Sequence, residues 1–324
     1  MQTRSPHATS SVIALDIGGT KIAGAIVTYA EDATRPTVHD VQEVPTDAKR
    51  GGDTVLATLV YLIKSLIAHT DARPQGIGVG TAGCVDPVTG SISYANELMP
   101  GWTGQPVKQR LSDEFSLPVA VMGDVHAHAL GEARWGAARN RESCLLVAAG
   151  TGLGGAFVDR GHVLRGFHGA AGHLGHTLHP AAQKIICACG STGHAESVTS
   201  GTGIAALYQN RTACATHHEL AFCGAEISRR AEAGEEAARL TIRDAGRFLG
   251  EAMGSWANAF DPEVIIVSGS VCAAGPLWRE AVVEGFASQA LEPVKNIPLL
   301  DAALGFDAPL VGAAENLRDA LQSI

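Results

Sequence analysis

The stretch Val12-Ile-Ala-Leu-Asp16-Ile-Gly18-Gly19-Thr20-Lys21, continued by the apolar run Ile22 to Val27, decides how the rest of the chain reads. Two short apolar runs flank a glycine pair, which predicts two strands joined by a tight turn. Asp16 closes the first strand, so a carboxylate stands beside backbone N–H groups that could face a polyanion. Taken alone, the pattern also fits an ordinary hairpin with an incidental Asp. A second copy of the theme changes its weight. Cys144 to Ala149 is apolar, Gly150-Thr151-Gly152-Leu153-Gly154-Gly155 reads as a turn, and Ala156-Phe157-Val158 as a returning strand. Two such turns, one in each half, suit an enzyme that holds a nucleotide's phosphates between two domains. Neither is a Walker-type loop, because the Lys-Ser/Thr ending is absent.

Outward from the first turn, strands and helices alternate. A β-rich segment spans Thr37 to Val44, and Asp53 is placed to cap a helix carrying Val55, Leu56, Leu59, Leu62, Ile63, Leu66 and Ile67 on one face. Gly76 to Gly80 reads as a buried strand, Asp86 to Gly90 as a turn, and Val119 to Met122 as a strand leading into a helix after Asp124. Farther on, Ala245, Phe248, Leu249, Ala252, Met253 and Trp256 recur at helical spacing until Asp261-Pro262, and Val264 to Val267 is another buried strand. The repetition predicts a duplicated α/β fold of two domains, 11–122 and 123–308, with the closing helix 309–324 returning to the first.

Composition narrows the function. The 24 Lys and Arg against 33 Asp and Glu leave a net charge of −9, which argues against a nucleic-acid partner. No stretch reaches the roughly 20 uninterrupted apolar residues that a bilayer requires. The first residues lack the apolar centre of a signal peptide, so a cytoplasmic enzyme without a membrane partner is expected. Seven cysteines, of which only Cys187 and Cys189 are close together, do not form a secreted disulfide framework. Cys84, Cys144, Cys214, Cys223 and Cys272 read as buried or half-buried thiols, and Ala231 to Arg243 as a solvated helix face.

Two further positions carry chemistry. Asp124 follows a strand and begins a helix, which suits an N-cap or a general base that accepts a proton from an attacking hydroxyl. Between Gly172 and Glu196 stand His173, His176, His179, Cys187, Cys189 and His194. A Cys-x-Cys pair flanked by histidines suits tetrahedral zinc or, alternatively, reduced thiols beside exposed histidines.

These residues, in this order, resemble the ROK family of bacterial sugar kinases and sugar-responsive repressors. The resemblance rests on Asp16-x-Gly-Gly-Thr-Lys21, Asn96 with Pro100-Gly-Trp102, Asp124, Gly150-Thr-Gly-x-Gly-Gly155, and Gly175-His176 followed by Cys187-x-Cys189 and Glu196. It implies an actin-like, hexokinase-like fold, with ATP, magnesium and a hexose or N-acetylhexosamine meeting in a central cleft. It further implies Asp124 as the base and Asp16 as the carboxylate acting on magnesium. Gly18, Gly19, Thr20, Lys21, Gly150, Thr151, Gly152, Gly154 and Gly155 would hold phosphates, and Gly269 the adenosine. Gly83, Asn96, Asp124, His173, His176 and Glu196 would bind the sugar. A structural zinc held by His176, Cys187, Cys189 and His194 would organise the sugar loop, and the family often forms homodimers.

Four positions depart from the family pattern. His194 stands where a third cysteine is expected, leaving a His2Cys2 set that still suits zinc. His173 replaces a common Glu, and Ala171-Gly-His-Leu-Gly-His-Thr177 is a run shared with bacterial N-acetylmannosamine kinases. Gly123 and His126 replace residues that are usually Asn, and Asn or Gln. The expected activity is ATP-dependent phosphorylation of the 6-hydroxyl of N-acetylmannosamine, with glucose as the alternative. A silent sugar sensor is opposed by the retention of both Asp16 and Asp124. A repressor is opposed by the 11 residues before Val12, too few for a helix-turn-helix, and by the charge.

Overall fold

Strands β1 (Ser10–Ile17) and β2 (Lys21–Tyr29) pair antiparallel from Ser10↔Tyr29 to Ile17↔Ile22, leaving Gly18 to Thr20 as the turn. The structure, a computed structural model, describes residues 10–31, 33–70, 73–212 and 223–322. Cys214 therefore lies outside the described residues. After β3 (Thr37–Pro45) comes helix α1 (Gly52–His69), then β4 (Ile77–Thr81), the small hairpin β5 (Cys84–Val85) and β6 (Ile92–Tyr94), helix α2 (Val107–Phe115), β7 (Val119–Gly123) and helix α3 (Asp124–Trp135). The first sheet has the order β3-β2-β1-β4-β7, with β4 parallel to both β1 and β7.

The same order recurs. Strands β8 (Ser143–Ala149), β9 (Leu153–Asp159) and β10 (His162–Val163) precede helices α4 (Glu196–Thr199), α5 (Gly201–Thr212), α6 (Gly224–Glu232) and α7 (Glu236–Phe260). Strand β11 (Val264–Ser268), helix α8 (Pro276–Gln289), strand β12 (Leu299–Asp301) and helix α9 (Ala308–Gln322) complete the chain. The second sheet runs β10-β9-β8-β11-β12, with β11 parallel to β8 and β12.

By contacts the chain parts into two compact units. The first comprises residues 1–140, 158–171 and 303–324, and the second 141–157 and 172–302. The chain leaves the second unit within β9 and re-enters it after Ala171. Positions 122–124, where the sequence suggested a boundary, join β7 to α3, and both elements belong to the first unit. Helix α9 returns to that unit and packs on α3 and β4.

Each unit has its own core. In the first, Val55, Leu56, Leu59, Leu62, Ile63 and Leu66 of α1 are buried with Ile13, Leu15, Ile22, Ile26 and Ile77 of the sheet. Helix α1 is the one described helix that is long and apolar enough, by length and composition, to cross a membrane. Its apolar face is spent on this core instead. In the second unit, Leu249, Met253 and Trp256 of α7 pack with Leu145, Val147, Ile265 and Val267 of the sheet and with Trp278, Val282 and Phe286 of α8.

Several local expectations shift. Helix α1 begins at Gly52, with Gly51 (φ 93) as the N-cap, so Asp53 sits in its first turn rather than capping it. Asp124 is likewise the first residue of α3, after the N-cap Gly123, and is not itself the cap. The second glycine turn is tighter than 150–155, because Gly150 N–H donates to the Gly152 carbonyl at 2.9 Å and β9 has begun by Leu153. Residues 231–243 are not one solvated face but the end of α6, a break at Gly234 (φ 91) and the start of α7, with Ala231, Ala238, Thr241 and Ile242 buried.

Candidate active site

The first unit holds the paired carboxylates. Asp16 lies at the end of β1, one residue before the turn that Gly18 N–H closes on the Lys21 carbonyl at 3.0 Å. Thr46 braces this turn by donating its hydroxyl to the Gly18 carbonyl at 2.7 Å. Around Gly19 there is open space where a side chain would otherwise stand. The Lys21 ammonium pairs with Glu43 and lies 5.5 Å over the Phe306 ring. Burial, and after it repulsion from the Asp124 carboxylate, push the Asp16 carboxyl up to about 7, with Lys21 opposing. Two carboxylates thus share one low-dielectric neighbourhood, which a cation would relieve. Asp124 is half-buried, and its Oδ1 accepts the Val125 N–H at 2.8 Å.

Gly83 and Asn96 belong to the same unit. Gly83 has a φ of 96 and lies against the Tyr94 carbonyl. Asn96 is exposed and folds its Oδ1 back onto the Leu98 N–H at 3.1 Å. Trp102 is fully buried, and its indole N–H donates to Thr81 Oγ1 at 3.1 Å, which makes it a packing residue beneath this loop.

The second unit brings together the residues of the 172–196 segment. His176 Nδ1 and His194 Nδ1 are 3.1 Å apart, Cys189 Sγ is 3.2 Å from His194 Nδ1, and Cys187 Sγ is 3.8 Å from His176 Nδ1. The four ligand atoms all lie within 4.8 Å of one another. Ligands about 2.0 to 2.3 Å from a tetrahedral ion stand about 3.3 to 3.8 Å apart, so the set fits zinc in size and chemistry. Burial, with His194 and His173 adding to it and Glu196 opposing, holds the His176 imidazole below its ordinary value, in the neutral form that can ligate. In the metal-free protein, burial pushes the Cys187 thiol up to about 11. His179 takes no part in the cluster. It is buried, accepts the Ala181 N–H at 3.2 Å and places Nε2 3.3 Å from Glu251.

Both His176 and His194 face the cluster through Nδ1, and the His173 ring stacks on His176 with centroids 6.0 Å apart. Glu196 connects this loop to the second glycine turn. Its Oε2 accepts the Leu153 N–H at 2.8 Å, and its Oε1 lies 3.5 Å from Cys187 Sγ. A Cβ at Gly152 would come within 2.6 Å of that Oε2, so the turn and the carboxylate require each other. Gly154 and Gly155 sit within β9, where a Cβ on Gly155 would meet Leu174 and the Leu146 carbonyl.

Beside this turn opens a cavity of about 650 Å³, lined by Gly150, Thr151, Thr202, Gly224, Ser270 and Val271 among others. That volume suits a nucleoside. Gly269 supplies the bend into it: its φ is 97, and a Cβ there would stand 2.2 Å from the Ala149 carbonyl. The walls given by α5 and α6 were not foreseen in the sequence, although Gly201-Thr-Gly203 repeats the Gly-Thr-Gly of the turn and offered a signal. Cys223 is exposed and lines the cavity, which corrects its expected burial.

One strand order used twice, with a glycine turn at the head of each copy, is the actin-like, hexokinase-like architecture, and the protein is an ATP-dependent sugar kinase of that class. The narrower placement follows from the sequence as a whole: the ROK family model matches residues 12–319, and the chain belongs to the ROK family. It is 32% identical over 312 residues to a glucokinase of Halalkalibacterium halodurans, covering 93% of this chain and 92% of that one. It is also 32% identical over 308 residues to an N-acetylmannosamine kinase of Escherichia fergusonii, covering 94% and 97%. Among solved structures, a ROK family glucokinase from Streptomyces griseus in complex with glucose and AMPPNP superposes with a TM-score of 0.80 at 28% identity, over 96% of this chain and 100% of that one.

Proposed function

We propose that this sugar kinase transfers the γ-phosphoryl group of ATP to the 6-hydroxyl of N-acetylmannosamine, with Asp124 as the general base. The observation that carries the substrate reading is the pair His173 and His176, stacked in the run that begins at Ala171. An imidazole at 173 can donate to or accept from a sugar substituent, where the carboxylate common in the family only accepts.

In this reading Asp124, at the first turn of α3, takes the proton of the attacking hydroxyl. Asp16 and the β1–β2 turn face the phosphates, and the Gly150 to Gly152 turn and the cavity beside it hold the rest of the nucleotide. Magnesium, when bound, would neutralise phosphate charge, and Asp16 would be the carboxylate that holds it. Zinc would be held by His176, Cys187, Cys189 and His194 and would fix the loop. With Nδ1 committed to that cluster, Nε2 of His176 is left for a sugar hydroxyl. Gly83, Asn96 and Glu196 complete the sugar contacts. A homodimer in the cytoplasm is the accompanying proposal.

Glucose is the second reading, favoured by the glucokinase relative, whose identity equals that of the N-acetylmannosamine kinase. ADP release with Mg-ATP, measured across N-acetylmannosamine, N-acetylglucosamine, glucose and mannose, separates the two. Preference for N-acetylmannosamine, lost in His173→Glu, is expected. Preference for glucose in the wild type would replace the first reading with the second.

A further inference from the structure

The junction of β7 and α3 holds a pair of residues that the proposed chemistry leaves unused. Gly123 has an extended backbone (φ −63, ψ 148) that any residue adopts, so conformation does not call for glycine there. Space does. A Cβ at 123 would stand 3.2 Å from Nδ1 and 3.6 Å from Cγ of His126, with the Gly83 carbonyl 3.8 Å away. The imidazole stands directly against the place a Cβ at 123 would take. His126 is itself buried, and its Nε2 lies 2.7 Å from the Ala171 carbonyl. A carbonyl only accepts, so Nε2 donates to it, and Nδ1 lies on the side of Gly123.

This one side chain therefore ties two pieces of the first unit. One is the opening turn of α3, which begins with Asp124. The other is Ala171, the last residue of that unit before the chain enters the Gly172 to His176 run. A glycine at 123 and a long, planar, hydrogen-bonding side chain at 126 are complementary solutions to one volume.

We propose that Gly123 and His126 form a single positioning pair, in which the imidazole stands in for a side chain at 123 and, through Ala171, fixes the α3 turn that carries Asp124. The proposal rests on Asp124 acting at the sugar. His126 is a positioning residue in it and touches no reacting atom. A sugar bound beside Gly83 and Asp124 then meets a surface set by the pair and not by either residue alone.

The test is a double-mutant cycle read in kcat and KM for the sugar and, independently of turnover, in melting temperature. Gly123→Asn and His126→Ala are each expected to lower kcat/KM about tenfold, and the double variant to be no worse than the poorer single, because the Asn side chain enters the vacated volume. His126→Gln, whose amide can still donate to Ala171, is expected to stay within about threefold of wild type. Losses that multiply in the double variant, singles that match wild type, or a Gln variant no better than Ala overturn the pair. Should Gly123→Asn not fold, Gly123→Ala completes the same cycle with the same reading. If the wild type phosphorylates no sugar, the kinase assignment to this site fails, while the melting cycle still judges the pair.

Discussion

Asp16 carries a titration that can be read without any ligand. Its carboxyl ionises at 3.8 in the ordinary case and at about 7 in the fold, because burial and then Asp124 raise it. A folded value above the unfolded one means stability that is complete below the unfolded value and is lost as pH rises through the folded value. Asp16→Asn removes this loss. In EDTA, the melting temperature of Asp16→Asn is expected to rise relative to wild type between pH 4 and 7 and to level off above; a gap independent of pH would show that Asp16 is not held this way. At Cys189, Ser substitution removes one of the two thiolates that would hold zinc in the proposed site, and elemental analysis is expected to find less than one equivalent of zinc bound. A Cys189→Ser protein that keeps one equivalent of zinc contradicts the ligand set. Asp16, Asp124 and the Cys-x-Cys pair stood out in the sequence by residue type, but local spacing left each an ordinary alternative, and only the family resemblance gave them roles. The Gly123–His126 complementarity was not, since it depends on where an imidazole points, and the sequence showed only two departures from a pattern.

The elements follow from apolar spacing wherever one face is buried against one core. Helix α7 was readable from Ala245 to Trp256 and ends at Asp261 in a left-handed conformation (φ 46), as Asp-Pro suggested. Its glycines say more than its periodicity does. A Cβ at Gly250 would stand 2.1 Å from the Val282 carbonyl, and one at Gly285 of α8 would stand 2.1 Å from that of Arg247. The two helices thus pack backbone to backbone. Gly250→Ala is expected to cost about 1 to 3 kcal/mol in chemical denaturation by forcing them apart. Unchanged stability would mean that α8 shifts freely. Element ends were less legible. Side-chain preference placed caps at Asp53 and Asp124, whereas a glycine precedes each helix and the Asp falls inside it. The length of the second turn was set by Glu196 reaching Leu153 across 43 residues, a contact no local pattern contains.

For the whole molecule, the repeated strand order was visible as a repeated motif, while the walls of the cavity beside the second glycine turn were hidden. They come from α5 and α6, whose role depends on being brought beside the 150–152 turn: Gly201 N–H donates to the Gly150 carbonyl at 2.8 Å. AMPPNP is therefore expected to slow amide exchange at Gly201 to Gly203 and around Ser270. Protection confined to other segments would place the nucleotide elsewhere. The division of labour is also clear in the chain. The carboxylates belong to the first unit, and the cavity and the His–Cys cluster to the second. Asp124 is proposed as the base that activates the sugar hydroxyl, and the most direct test compares wild type with Asp124→Asn for ADP release and, by calorimetry, for sugar binding. The amide keeps the shape and cannot take a proton. Turnover is predicted to fall by about a thousandfold or more with the sugar dissociation constant nearly unchanged, whereas near-normal turnover in Asp124→Asn would contradict the mechanism and leave Asp124 a residue of the first turn of α3 alone.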